Sequence, residues 1–341
     1  MFGFNMLRQG VFMNEWIRIK IDNEKFNLDS VNCVEIGISY CLGIYGGEFQ
    51  KYFLLLLKMI QSYNVTGFND TSIVNPVNIH PYIQSILNNW LHIQINFHEL
   101  SEDSFYELIE GVIMKGRPVL VTGNLRELYY SPNYMNNDSR HVILINGFDK
   151  EKKIFKIIDG EHFYVRNKCR YNQFSIPYQT VKEMLLSYRN VFGEFFICDL
   201  QSGERIFNKV SVLNDCLSLY GNINSDINKY REINYIDTVS KVISEGDNKH
   251  GNIDVTLLRI IRYKEMFYTL LASAISEIWG DDDMVGGIIQ LKDHMIPVWR
   301  DICNTCILGL YKKSVFNIDT RLQEAMKYEL QMKNTIKGLI R

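Results

Sequence analysis

Short apolar runs give way to long amphipathic ones along this chain, and the change falls near residue 203. Before it, period-two stretches alternate with helical ones. Glu15-Trp-Ile-Arg-Ile-Lys-Ile21 alternates and predicts a strand. Residues 34–45 carry a helical pattern, and residues 48–62 predict a second helix whose leucine run at 54–57 should be buried. Residues 63–81, with Gly67, Asn69, Asp70, Asn75 and Pro76, read as loop. Leu91, Ile93, Ile95 and Phe97 alternate as a strand does, and Ser101 with its acidic neighbours opens a helix to Met114.

A set of strands follows. Pro118-Val-Leu-Val-Thr122 is one, and 141–148 and 153–158 form a hairpin about Asp149-Lys-Glu-Lys-Lys. A helix over 180–188 and a strand over 193–199 complete the mixed part. Helical spacing then takes over at roughly 225–244, 254–279, 284–311 and 320–339. The pattern divides the chain into an α+β catalytic part, 14–203, and an all-helical part, 204–341.

With 46% apolar and 22% charged residues, the 341-residue chain can bury a sizeable core. A formal charge of −2 gives no footprint for nucleic acid. The longest apolar stretch, from Tyr52, stops at Lys58, well short of the roughly 18 residues a bilayer span requires. The first residues lack a secretory signal pattern, and seven scattered cysteines suit a reducing compartment. These features lead us to expect a cytoplasmic protein without membrane association.

The candidate chemistry has the order amide, nucleophile, base, orienter. Cys33 stands at the start of the first helix, where backbone N–H groups and the helix dipole favour a thiolate. His141 opens one hairpin strand as the base, and Asp159 closes the other as the carboxylate that fixes its tautomer. Asn27 lies six residues before Cys33 and can curl back so that its amide shares an oxyanion hole with the Cys33 N–H. Such a donor stabilises the developing charge by about 3–4 kcal/mol. Asn32 or backbone donors are the alternative. In the loop leading to His141, Glu127 is a candidate to hold an amine, and Tyr129 and Tyr130 to line an acyl channel.

The segment 27–46, with Cys33 opening a helix that ends in Ile44-Tyr45-Gly46, resembles the nucleophile segment of the butirosin-biosynthesis acyltransferase family. Gly116-Arg-Pro-Val-Leu-Val, His141-Val-Ile-Leu-Ile-Asn-Gly-Phe-Asp149 and Ile157-Ile-Asp159 resemble its second half. The family includes the amide-forming enzyme of closthioamide assembly. More distantly, the segments resemble bacteriocin-processing papain-like peptidases, in which a Gln commonly stands where this chain has Asn27. The resemblance covers roughly 25–200. It implies a papain-like cysteine protease fold, N-terminal helices on an antiparallel sheet, with a Cys–His–Asp triad. It also implies transfer of an acyl or aminoacyl group from the phosphopantetheine thioester of an acyl or peptidyl carrier protein to a small-molecule amine. No bound cofactor is implied. The helical part is then expected to wall a pocket against water or to serve in oligomerisation, and a homo-oligomer stays open.

Two other readings share these residues: a cysteine peptidase or amidase, and a non-catalytic scaffold of the same fold. No metal is expected, since Cys303 and Cys306 fall mid-helix without a second pair, and His92 and His98 lack further ligands.

Overall fold

The computed structural model describes residues 17–18, 31–63, 79, 81–99, 101–160, 171–193, 195–203, 206–223, 236–245, 253–314 and 316–339. It is a mixed α+β structure, and its described residues fall into two compact units. One comprises the first strand and the described part of Asn96–Asp199; the other takes the described parts of Asp22–Ile95 and Leu200–Arg341. The Cys33 helix falls in the second of these units.

The first unit is built on strands β1 (Ile17–Arg18), β3 (Val119–Asn124), β4 (Arg140–Asp149), β5 (Ile154–Gly160) and β6 (Tyr171–Pro177). Strands β2 (Ile93–Phe97) and β7 (Ile197–Ser202) pass from one unit into the other. The sheet order is β2-β7-β3-β4-β5-β6, with β1 added on β4. The interior strands β3 and β4 are buried at nearly every position, which is why they read as continuous apolar runs rather than as alternation.

The expected hairpin is β4–β5. Leu144 pairs with Ile158 and Ile145 with Ile157, and a bulge between Ile145 and Gly147 resets the register toward the turn. Continuing from Leu144, Asp159 falls opposite Ile143 and one diagonal step from His141, on the same face. Across β4's other edge, His141 pairs with Gly123 of β3. A Cβ on Gly123 would overlap the side chain of Met184. Glycine there lets the helix over Tyr178–Phe192 lie close against β3, the strand that pairs with His141.

Two helices cover the core of this unit: α4 (Phe105–Met114) and α5 (Tyr178–Phe192). Phe105, Ile109, Val181, Met184 and Leu185 pack with Val119, Val121, Ile143, Ile145 and Ile157. Helix α4 ends in a Schellman motif: the Gly116 N–H donates to the Ile113 carbonyl at 2.8 Å and the Arg117 N–H to Val112 at 3.3 Å. Gly116 adopts φ +78°, which a residue with a Cβ resists, and Pro118 then starts the run into β3.

The second unit holds α1 (Cys33–Leu42), α2 (Gly47–Tyr63), α3 (Pro81–Ser85) with a following π-turn, and α6 (Lys209–Gly221). Helices α7 (Ile236–Glu245), α8 (Ile253–Trp279), α9 (Asp282–Lys312) and α10 (Asp319–Lys337) complete it. No helix among the described residues is long and apolar enough to cross a membrane. The leucines at 54–57 are all buried, and α2 packs broadly on α8.

Two buried lysines tie this unit together. Lys58 of α2 donates to the Glu35 carboxylate of α1 at 2.7 Å, and its ammonium lies 4.2 Å from the ring centroid of Tyr263 on α8. In the opposite sense, Lys264 of α8 lies 3.9 Å from the centroid of Tyr63 on α2 and donates to Glu329 of α10 at 3.0 Å. Glu329 also accepts from Tyr63 at 2.7 Å, Tyr268 at 2.6 Å, Tyr220 at 3.2 Å and Trp299 at 3.3 Å. The Tyr63 and Tyr268 hydroxyls contact each other as well.

Burial raises the Glu329 carboxyl, but Lys264 and the tyrosine hydroxyls pull harder and hold it below its ordinary 4.5. With the folded value below the unfolded one, the resulting stability is whole above that pH and drains as acid passes through the folded value. Replacing Glu329 with Gln should flatten the acid limb of stability against pH below about pH 5, measured by urea denaturation. Lys58→Met strands a buried carboxylate and should cost about 3–5 kcal/mol in the same assay.

Candidate functional site

In the helical unit, Cys33 is the first residue of α1 and Asn32 is its N-cap, with extended backbone. A reciprocal capping box sets this end of the helix. The Asn32 side-chain oxygen accepts the Glu35 N–H at 3.0 Å, and the Glu35 carboxylate accepts the Asn32 backbone N–H at 3.2 Å. Asn32 also donates its side-chain NH2 to Glu35 at 3.0 Å. That amide is therefore engaged in the cap, which weighs against Asn32 as an oxyanion donor. The amides of Cys33 and Val34 lie outside the box, at the positive end of the helix dipole.

Glu35 is an anion close to where a thiolate would form, and alone it would oppose one. Its buried pairing with Lys58 cancels that charge locally, and Gln61 adds a donor at 2.6 Å. The sequence carries the signal for the cap, an Asn three residues before a Glu, but not for the lysine that neutralises it.

Among the described cysteines, Cys33 is partly exposed and Cys41, Cys198, Cys216, Cys303 and Cys306 are buried. Burial pushes the Cys198 and Cys216 thiols well up, and pushes Cys303 up to about 12. Those thiols are inert by environment.

The sheet unit brings His141 and Asp159 together as expected. His141 Nε2 lies 2.7 Å from Asp159 Oδ1, and both residues are buried. Donation to a carboxylate fixes the proton on Nε2 and puts the ring lone pair on Nδ1, so Nδ1 is the basic nitrogen. The Gly160 N–H donates to the same Oδ1 at 2.7 Å. Asp159 Oδ2 accepts from the Tyr130 hydroxyl at 2.6 Å. The imidazole is thus oriented by a carboxylate that is itself held.

The loop between β3 and β4 is closed at its base. Leu125 N–H donates to the Ser139 carbonyl at 2.9 Å, and Met135 N–H to Arg126 at 2.9 Å. Asn124 clasps both ends: its side-chain oxygen accepts the Arg126 and Ser139 amides, while its NH2 donates to Asp138 and Ser187. Glu127 sits half-buried in a 3₁₀ turn, and Tyr129 is exposed, its ring edge-on to Tyr130. The hydroxyl of Tyr130, a residue expected to line a channel, reaches Asp159, a contact that depends on how the loop folds back and that no local pattern records. Asn27 lies outside the described residues.

A second His–carboxylate cluster lies on the other side of the sheet's order. Buried Asp199 accepts from Asn96 at 2.8 Å, approaches His98 Nε2 at 3.2 Å and pairs with Arg117 at 3.3 Å. Its donors neutralise a buried carboxylate, and the neighbouring Cys198 is a fully buried thiol that burial and Asp199 together hold protonated.

At pH 7, a limiting maleimide or iodoacetamide pulse should label Cys33 at least about tenfold faster than the buried described cysteines, read by peptide mass mapping of the native protein. Equal labelling of Cys41 and Cys216 would count against the assignment of Cys33.

No protein-family model matches this chain, and comparison with curated proteins finds no match. The chemical reading of the site therefore rests on its residues.

Proposed function

We propose that this protein is a thiol acyltransferase of papain-like design that forms an amide from a carrier-bound thioester. Cys33 is the nucleophile, His141 its base and Asp159 the residue that orients and charges the base. The observation that carries the reading is the buried His141–Asp159 contact through Nε2 at 2.7 Å, which leaves Nδ1 as the proton acceptor. A partly exposed thiol at a capped helix start supplies the matching nucleophile.

The reaction follows from these roles. The Cys33 thiolate attacks the thioester carbonyl, and the tetrahedral oxyanion collapses by expelling the phosphopantetheine thiolate, which takes a proton from the imidazolium. Exchange of one thioester for another is nearly thermoneutral, so the acyl-enzyme forms reversibly. A neutral amine then attacks the same carbonyl, losing its proton to His141 as the Cys33 thiolate leaves. Amide formation makes this step the irreversible one. Asn27 remains the candidate side-chain oxyanion donor, with Glu127 and Tyr129 as candidates at the amine and the acyl chain. The partners under this reading are an acyl or peptidyl carrier protein and a small amine, in the cytoplasm.

Incubation with an acyl-loaded carrier protein, without amine, should add one acyl mass to the intact protein. Cys33→Ala should abolish the adduct, and His141→Ala should slow its formation by about 10²–10⁴-fold. Release of the acyl group to amines rather than to water separates this activity from a peptidase or amidase. Failure of any Cys33-dependent adduct would overturn the proposal.

A further inference from the structure

Tyr130 has no part in the chemistry just described, yet its hydroxyl occupies the carboxylate that steadies the base. Three features make the contact more than a chance surface bond. The Oη–Oδ2 distance of 2.6 Å is that of a strong charge-assisted bond. The Tyr130 ring lies flat against Phe174 of β6, with centroids 4.0 Å apart and planes 8° from parallel. Phe174 pairs across the sheet with Ile157, two residues before Asp159, so the ring's support belongs to the same strands as the carboxylate. The loop that delivers Tyr130 is clasped at its base by Asn124.

We propose that Tyr130 is a positioning residue for the His141–Asp159 pair: its hydroxyl ties down Oδ2 so that Oδ1 faces the imidazole, and it sets how strongly the carboxylate holds a proton on His141. The inference rests on the assignment of His141 as the base. A carboxylate has two oxygens and can rotate. With Oδ1 shared between His141 Nε2 and the Gly160 N–H and Oδ2 held by Tyr130, it is restrained from both ends. The phenol also withdraws charge from the carboxylate, which weakens its pull on the imidazolium. Burial and the neighbouring carboxylate raise the phenol far above its ordinary value, so it stays a donor throughout the working range. The other charged groups carried by the surrounding loop and strands are Arg126, Glu127, Asp138, Arg140, Asp149 and Lys156, and α5 adds Lys182, Glu183 and Arg189. None of them changes in the test below.

The test is Tyr130→Phe, which keeps the ring on Phe174 and removes one oxygen. The His141 imidazole is titrated by NMR in the substrate-free protein, so the readout does not depend on activity. Loss of the donor makes the carboxylate more basic, and the His141 midpoint should rise by about half to one pH unit. In the acyl-adduct assay, the variant should form the adduct about tenfold more slowly at saturating carrier, with half-saturation unchanged. Phe174→Leu, which removes the stacking partner but keeps the hydroxyl, should move the same midpoint in the same direction by less. A folded Tyr130→Phe protein whose His141 titrates as in the parent overturns the proposal. A shifted midpoint in a protein that never forms a Cys33 adduct would leave the positioning role standing and remove the acyltransferase reading. A normal adduct rate with an unmoved midpoint would do the reverse.

Discussion

A lysine ammonium cannot leave water without a partner, and α2 removes one entirely. Lys58 is fully buried, and Glu35 meets it from the first turn of α1. The pair is costly to assemble and more costly to break, so it fixes which turn of α2 faces which turn of α1. Its position gives it a second effect. Glu35 belongs to the cap that shapes the chain immediately before Cys33, so the buried cation secures the thiol's local frame without touching the thiol. The same logic recurs at Lys264 and Glu329, where four aromatic donors share the carboxylate and join α2, α6, α8, α9 and α10.

The sheet unit answers a different need with similar means. An imidazole keeps one tautomer and one orientation when a partner holds it, and in this unit a carboxylate supplies both to His141. Strand register brings the two within a diagonal step, because an antiparallel hairpin with a short turn pairs residues whose numbers sum to a nearly constant value. The glycine opposite His141 and the phenol on Asp159 then adjust what register alone leaves loose. Geometry of this kind is cheap for the chain to specify, which is why so few residues carry it.

Much of this was legible in the sequence. The hairpin, the Cys33 helix, the leucine-rich second helix and the last three C-terminal helices lie within a few residues of where hydrophobic periodicity puts them, since each buries a face that only one period can present, while the first half of the helix expected over 225–244 lies outside the described residues. Strand β6 was not legible: Tyr171 to Pro177 lies at the end of the sheet order and is mostly polar and exposed, so it lacks the apolar signature of its neighbours. Helix α6 begins at Lys209, where the sequence reading placed no element, and the helix over 180–188 extends by several residues at its C-terminal end. The helix expected from Ser101 starts instead at Phe105, with Ser104 before it. For the proposed site, residue types and order point to Cys33, His141 and Asp159, of which the last two are in contact. The burial of Lys58 and the turn of Tyr130 toward Asp159 depend on partners far away in the chain, which no local pattern records.

The helical unit is discontinuous, its described portions lying on either side of the residues that make the sheet. On the ribosome, therefore, α1 and α2 emerge long before the aromatic and acidic groups of α8, α9 and α10 that complete their surroundings. Until then Lys58 lacks Tyr263, and Tyr63 lacks Lys264 and Glu329. The thiol at the head of α1 is thus exposed early in synthesis and gains its final scaffold late. A nascent chain halted between these stages would be the form most open to chaperones and to adventitious oxidants.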